Sequence, residues 1–214
     1  MAKYEFTGET KIEFGIKFNR IRAVVAIAAL GIAAGDLGGW VEKESNLSQV
    51  SGDAWVSGNA QVSGNAQVYG DAQVSGDAWV YGNARVYGDA WVYGNARVYD
   101  DARVYDDARV YDDAQVYGNA RVSGDAWVYD DAQVYGNARV SVPIIAATRT
   151  DGYTFVVVQT ADKMPRIIAG CRYFTFEQAR DHWKDREGPK NLRDESIALV
   201  DHLERMAKIH GWLK

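Results

Sequence analysis

The chain has 214 residues, 47% hydrophobic and 25% charged, with a formal net charge of −5. That length holds one domain, or one repeat array with appendages. The negative balance argues against a general binder of nucleic acid or anionic membranes, and a single cysteine, Cys171, excludes an intramolecular disulfide framework and fits a reducing compartment.

Residues 3–24, "KYEFTGETKIEFGIKFNRIRAV", alternate apolar and polar around Gly8 and Gly15, which predicts a hairpin followed by a strand. The apolar run "AVVAIAALGIAAG", residues 23–35, is too short to span a bilayer. Arg20 and Arg22 precede it, but so does a charged, strand-patterned segment, so a buried strand run is expected rather than a signal peptide. "GGWV" then enters an imperfect coil, and "EKESNLSQV" carries a small insertion before strict periodicity begins. Residues 1–50 are read as an N-terminal β cap.

Residues 51–140 are fifteen hexads without a gap. Counting from Ser51, position 4 is always Ala and position 6 always Val; position 3 is Asp or Asn, position 2 Gly or Asp, position 1 Ser or Tyr, and position 5 Trp, Gln or Arg. In "ARVY" the side chains alternate: Ala and Val inward, Arg and Tyr outward. Restriction of position 3 to Asp and Asn marks it as the expected corner residue, because these types best tolerate the left-handed backbone region. Three strands and three corners close an eighteen-residue coil. Coils stacked as parallel strands at about 4.8 Å give five coils and a rod about 24 Å long around a column of valines.

Periodicity stops at Val142-Pro143. "IIAATR" and "YTFVVVQ" flank a Thr-Asp-Gly turn as a hairpin, "PRIIAGCRYF" supplies another strand, and Thr175 and Gln178 stand at capping-box spacing before a short helix. A last helix is expected from about Asp194 to His210, with Leu199, Leu203 and Met206 on one side. Residues 141–214 are read as a small α+β domain.

The Val-x-x-x-Ala-x hexad resembles the hexapeptide repeat of left-handed parallel β-helices. Residues 35–62, "GDLGGWVEKESNLSQVSGDAWVSGNAQV", resemble hexapeptide-repeat proteins of bacteriophages and enterobacteria, often described as polymer-forming. The resemblance covers residues 20–140. It implies left-handed coiling and a homotrimer, and it brings no established activity. One departure from its acyltransferase members is that Ser or Tyr, not Gly, follows the aliphatic residue here. The expected fold is thus mainly β: a left-handed parallel β-helix, a three-sided β-solenoid, between an N-terminal β cap and a C-terminal α+β domain.

Enzymes on the resembled fold use histidines on or beside the coils, whereas His182, His202 and His210 all lie beyond residue 140. The hexads are also uninterrupted, leaving no loop to build a substrate pocket. His202 and His210 are about 80° apart around a helix and do not share a face. Cys171 follows a glycine in an expected strand and reads as buried and inert. The absence of Thr from residues 51–140 rules out an ice-binding threonine ladder, and calcium repeats of the Gly-Gly-x-Gly-x-Asp type are missing.

Strict phase puts every third hexad on one wall. One wall carries Trp55, Gln73, Trp91, Arg109 and Trp127; a second carries Gln67, Arg85, Arg103, Arg121 and Arg139 beside Tyr69, Tyr87 and Tyr105; the third carries Gln61, Trp79, Arg97, Gln115 and Gln133. Trp, Tyr and Arg are favoured in contact surfaces, so Arg85, Arg103, Arg121, Arg139, Tyr87, Tyr105, Trp55, Trp91 and Trp127 are the candidate binding residues. Stacked aromatics that merely suit a flat ladder are the competing account. The array holds thirteen Asp and six Arg, a net −7, and Asp53, Asp71, Asp89, Asp107 and Asp125 should line one corner.

The expectation is a non-enzymatic binding or scaffolding protein of phage or prophage origin. It would be homotrimeric, located in the bacterial cytoplasm, and free of cofactor, metal and membrane. It would not contact nucleic acid directly and would act on a host or phage protein, one version being inhibition of a host defence or nucleic-acid enzyme. A trimer binding a nucleotide or glycan in its grooves is the alternative, and an acyltransferase is disfavoured.

Overall fold

The structure, a computed structural model, describes residues 2–160, 163–170 and 172–213. Cys171, expected to be buried, lies outside them.

Fifteen short strands, β4 to β18, from Trp55–Val56 to Ala138–Val140, follow the hexads one for one. Each pairs in parallel with the strand eighteen residues away, Arg97 with Trp79 on one side and Gln115 on the other. The amide N–H of Arg97 donates to the Ala114 carbonyl at 2.9 Å, and that of Tyr99 to the Val116 carbonyl at 3.0 Å, so each coil hydrogen-bonds to the next. Every Ala at position 4 and Val at position 6 is buried, none more than 3% exposed. At roughly 1.5–3 kcal/mol per valine, this column is the main stabilising term of a rod in which no coil can hide its own apolar face.

The left-handed corner residue is at position 2, not at position 3 as the Asp/Asn restriction suggested. Asp100, Asp106, Asp112 and Asp130 adopt φ of 53–58°, and glycines hold the equivalent place in the other coils. The constraint is the neighbouring coil: a Cβ built on Gly88 would stand 2.8 Å from the Asp106 nitrogen. Aspartate tolerates the region at about 1–2 kcal/mol, and at Asp100 a carboxylate bond from the Gly118 N–H at 3.2 Å offsets part of that. Position 3 is restricted for a different reason. Its side chains bond from coil to coil, Asn59 to Asp77, Asn65 to Asn83, Asn83 to Asp101 and Asn95 to Asp113, at 3.1–3.2 Å.

At the amino end β1 (Tyr4–Glu13) and β2 (Ile16–Ala23) form one long hairpin. It turns at Phe14 and Gly15, both of positive φ. Gly8 marks a bulge between Phe6 and Thr10 rather than a second turn. β3 (Leu37–Val41) pairs antiparallel with β2 and parallel with the strand Gln61–Val62, which fuses the cap to the rod.

Residues 23–35 are not the buried strand expected of an apolar run. They form a largely exposed loop with a 3-10 turn at Ala28–Leu30, bracketed by Ile27 and Ile32 and closed by left-handed Gly31 and Gly35. Ile27 is buried, and Leu30 and Ile32 pack against the core. The valine column ends here and needs a lid, not another strand. The insertion falls between Leu47, which bridges to Val68, and Val56, and it leaves Val50 93% exposed.

At the other end β19 (Ile145–Thr148), β20 (Thr154–Thr160), β21 (Pro165–Ala169) and β22 (Arg172–Phe174) continue the sheet, with β20 antiparallel to Ala138–Val140. Helix α1 (Phe176–Asp185) carries the expected capping box, Thr175 Oγ1 accepting from the Gln178 N–H and Gln178 Oε1 from the Thr175 N–H. Helix α2 (Lys190–Ile209) starts earlier than expected, after Pro189, and buries Ser196, Val200, Leu203 and Ala207; Leu199 and Met206 sit at the margin. Both helices pack on Phe155, Val157 and Ile167 in a second core.

Val98, fully buried between Val80 and Val116, tests the in/out assignment. Val98→Asp places a carboxylate in the apolar column and should cost several kcal/mol, seen as lost cooperativity in a circular-dichroism melt. A melt matching the parent would place Val98 outside the core.

Candidate binding surfaces

The register assembles the three walls as the hexad phase predicts. Trp55, Gln73, Trp91, Arg109 and Trp127 align on a five-stranded sheet. Gln67, Arg85, Arg103, Arg121 and Arg139 align on the sheet that runs into the C-terminal domain. Gln61, Trp79, Arg97, Gln115 and Gln133 align on the sheet that runs into the N-terminal hairpin.

On the arginine wall Arg85 and Arg139 are exposed and Arg103 and Arg121 half-buried. Among the described residues none of the four has a carboxylate within ion-pair distance or a ring under its guanidinium. The neighbouring tyrosines turn to each other: Tyr69 and Tyr87 stack at 4.9 Å and 2°, Tyr87 and Tyr105 at 5.0 Å and 4°. Tyr87 and Tyr105 therefore do not relieve the arginine row by stacking under it. A cleft of about 340 Å³ lies beside the row, lined by Asn65, Gln67, Asn83, Arg85, Asp101 and Arg103.

The tryptophan wall is only partly available. Trp91 and Trp127 are each 42% exposed, with the Arg109 guanidinium 5.5 and 5.3 Å from their ring centroids. Trp55, expected on the same surface, is 4% exposed. The cap lies against it so closely that a Cβ on Gly38 would meet its ring at 2.8 Å. Trp55 is a core residue and leaves the candidate set. Trp79 on the third wall is covered as well, by Phe14 at the hairpin tip, stacked at 5.1 Å. Neither contact has a local sequence signal, since both bring together segments far apart in the chain.

Tyrosine columns run along every wall. On the third, Tyr81, Tyr99, Tyr117 and Tyr135 stack at 4.8–5.0 Å, and Tyr173 closes the column edge-on at 4.7 Å with its hydroxyl donated to the Tyr135 carbonyl. Burial, then the neighbouring phenols of the stack, push Tyr99 up to about 12. Burial likewise raises Tyr81, Tyr87, Tyr93 and Tyr111.

Two features go beyond the sequence reading, which located the insertion but not the recess it opens. The insertion opens a recess of about 600 Å³ lined by Glu44, Leu47, Gln49, Ser51, Gln67 and Tyr69 among others, so one irregularity does break the smooth wall. In the C-terminal domain the guanidinium groups of Arg149 and Arg186 lie 5.3 and 4.6 Å from the Trp183 ring centroid, and Arg149 holds Asp151 through both Nε and Nη2. His182 stacks on Phe174 at 5.0 Å, its pKa lowered by burial and by Arg172 and Arg186. His202 and His210 are exposed. Among the described residues no three His, Cys, Asp or Glu side chains are placed to hold a metal ion. Among the described residues no helix is long and apolar enough to cross a membrane.

Successive stretches of the array match the family model of the YdcK beta solenoid repeat, at residues 48–64, 60–76, 66–81, 78–94, 90–104, 102–114, 114–130 and 132–141. The matched stretches, which cover less than half of the chain, are the array that folds as a β-solenoid. No curated protein matches it.

The tyrosine columns make alkaline stability a test of the stacking. A phenol with a raised folded pKa stabilises the rod fully below the unfolded value near 10, and that contribution is lost as pH rises toward the folded value, about 12 for Tyr99. Melting temperature should therefore fall between about pH 10 and pH 12. Ultraviolet titration should show the stacked tyrosines ionising late, together with unfolding. Ionisation of all tyrosines near pH 10 in a folded rod would contradict the stacking.

Proposed function

We propose that this protein is a non-enzymatic binding or scaffolding protein acting by protein–protein contact through the walls of its solenoid. The observation that carries it is the arginine row: Arg85, Arg103, Arg121 and Arg139 in strand-to-strand register, with no carboxylate within ion-pair distance and no ring under a guanidinium among the described residues. Four guanidinium groups one strand apart repel one another at a cost to the isolated rod. The cost is offset when an acidic partner accepts their hydrogen bonds. Exposed Trp91 and Trp127 add residue types typical of contact hot spots.

Phage or prophage origin, a bacterial cytoplasmic setting, left-handed coiling and a homotrimer belong to the same proposal and rest on the likeness of residues 35–62 to phage and enterobacterial hexapeptide-repeat proteins. Interference with a host defence or nucleic-acid enzyme is its concrete version: an array of net charge −7 with an aspartate corner is suited to imitate a polyanion toward such an enzyme.

A small-ligand binder is the second possibility, favoured by the cleft beside Arg85 and Arg103. Mass spectrometry of the purified protein for a bound nucleotide or glycan separates the two.

The partner hypothesis is tested by affinity capture from bacterial lysate with the parent and with Arg103→Glu/Arg121→Glu. The double variant should melt within a few degrees of the parent and lose the captured protein. A destabilised variant that retains the partner would show that this wall serves the rod's own packing.

A further inference from the structure

The occupant of the arginine wall is open to a geometric argument that rests on the proposal that the walls are binding surfaces. The row repeats at the coil pitch, measured by the Tyr69, Tyr87 and Tyr105 rings at 4.9–5.0 Å. A row of anions pairs with it along its length only if it has the same pitch. One strand of duplex nucleic acid advances about 3.4 Å per phosphate and winds out of line. One face of an extended peptide places side chains about 6.8 Å apart, and acids four apart on a helix stand about 6 Å apart. A second β-ladder matches.

This chain carries such a ladder of anions. Asp71, Asp89, Asp107 and Asp125 precede successive strands of the tryptophan wall, are exposed, and stand one coil apart. We infer that the aspartate corner of one copy docks against the arginine wall of a second copy lying alongside it in the same direction.

The rows match in height. Each aspartate follows a residue of the arginine wall by four positions and so stands nearly level with it: Asp89 with Arg85, Asp107 with Arg103, Asp125 with Arg121, and Asp71 with Gln67. Copies related by rotation about an axis parallel to the rod keep equal heights, so the three Asp–Arg pairs form together. Asp71, level with a glutamine, is served within the chain: its Oδ1 accepts from the Asp53 N–H at 2.8 Å, and Lys3, with Nζ 3.2 Å from the Gly52 carbonyl, is attracted to Asp53 and Asp71. Within one copy the two rows are separated by the tyrosine column, and among the described residues they form no ion pair. Trp91 and Trp127, beside the corner, would be covered as the copies meet.

Sedimentation of the purified full chain at micromolar concentration tests this with substitutions already native to each position. Arg85→Gln/Arg103→Gln/Arg121→Gln puts Gln where Gln67 and Gln115 stand, and Asp89→Asn/Asp107→Asn/Asp125→Asn puts Asn where Asn59 and Asn65 stand. Each set should raise the dissociation constant about tenfold or more, while Arg97→Gln on the third wall leaves it unchanged. The aspartate set is decisive, because it makes an acidic protein less charged. Association governed by net repulsion would strengthen, and the inference requires it to weaken. A monomeric parent, or a folded aspartate variant that associates as well as the parent, overturns it. Should the aspartate variant not fold, unchanged association of the folded arginine variant does the same. Capture of a lysate protein by a monomeric parent would sink this inference and leave the binding proposal standing.

Discussion

Coil-to-coil hydrogen bonding at one strand pitch is the constraint on which everything else in this molecule depends. Once the Arg97 N–H is committed to the Ala114 carbonyl and the Tyr99 N–H to the Val116 carbonyl, any two residues eighteen apart must stand about 4.8 Å apart. Inside, that yields a column of valines whose burial has no polar cost. Outside, it leaves the sequence no freedom to separate like from like. Each hexad therefore has two kinds of position: those that must be compatible with a copy of themselves, and those where self-compatibility is traded for something else.

The outer columns show the range of answers. Tyrosine is self-compatible and stacks nearly plane on plane. Asn and Asp at position 3 are compatible because an amide donates to the carbonyl or carboxylate oxygen of the next coil. Arg109 is accommodated by alternation, sitting between Trp91 and Trp127 instead of between arginines, for roughly 0.5–1 kcal/mol of cation–π attraction at an exposed site. The rows Arg85 to Arg139 and Asp89 to Asp125 receive no such treatment, whereas Asp71 accepts from the Asp53 N–H. The chain has at hand a device that separates one arginine from others, uses it on one wall, and omits it on the next. Absence of an internal solution on one wall is informative because a solution exists on its neighbour.

Most of the fold was legible in the sequence because the hexad is a one-dimensional code for a one-dimensional structure. Fixed Ala and Val gave the inside, and phase gave the walls. What misled was local. Position 3 looked like the left-handed corner because only Asp and Asn occur there, yet a ladder of amides imposes the same restriction, and the left-handed place is at position 2, where Asp106 stands. Residues 23–35 look like a strand by composition, but at the end of a column apolar side chains are recruited as a lid, and periodicity carries no term for an end. Trp55 and Trp79 belong to periodic walls and were still taken out of the surface by non-periodic segments, the cap near Gly38 and the hairpin tip at Phe14. The candidate rows were read correctly as rows. Their accessibility depended on tertiary contacts that no repeat phase contains.

The two ends of the rod are not treated alike by its three walls. The N-terminal hairpin extends the wall of Gln61 and Trp79, and the C-terminal strands extend the wall of Arg85 to Arg139, while the five strands of the tryptophan wall receive no added strand. A sheet lengthened by a cap has its outermost strand paired and its end sealed. The tryptophan wall relies instead on side chains and crossing segments, Gly38 against Trp55 at one end and the Ile144 N–H donating to the Trp127 carbonyl at the other. It is thus the wall whose flat aromatic surface is least committed to the fold, and it borders the aspartate corner on the side away from the arginine row. Surface that the fold does not need, next to charge that the fold does not neutralise, is where selection on contact rather than on stability leaves its trace. In this rod both coincide along one edge.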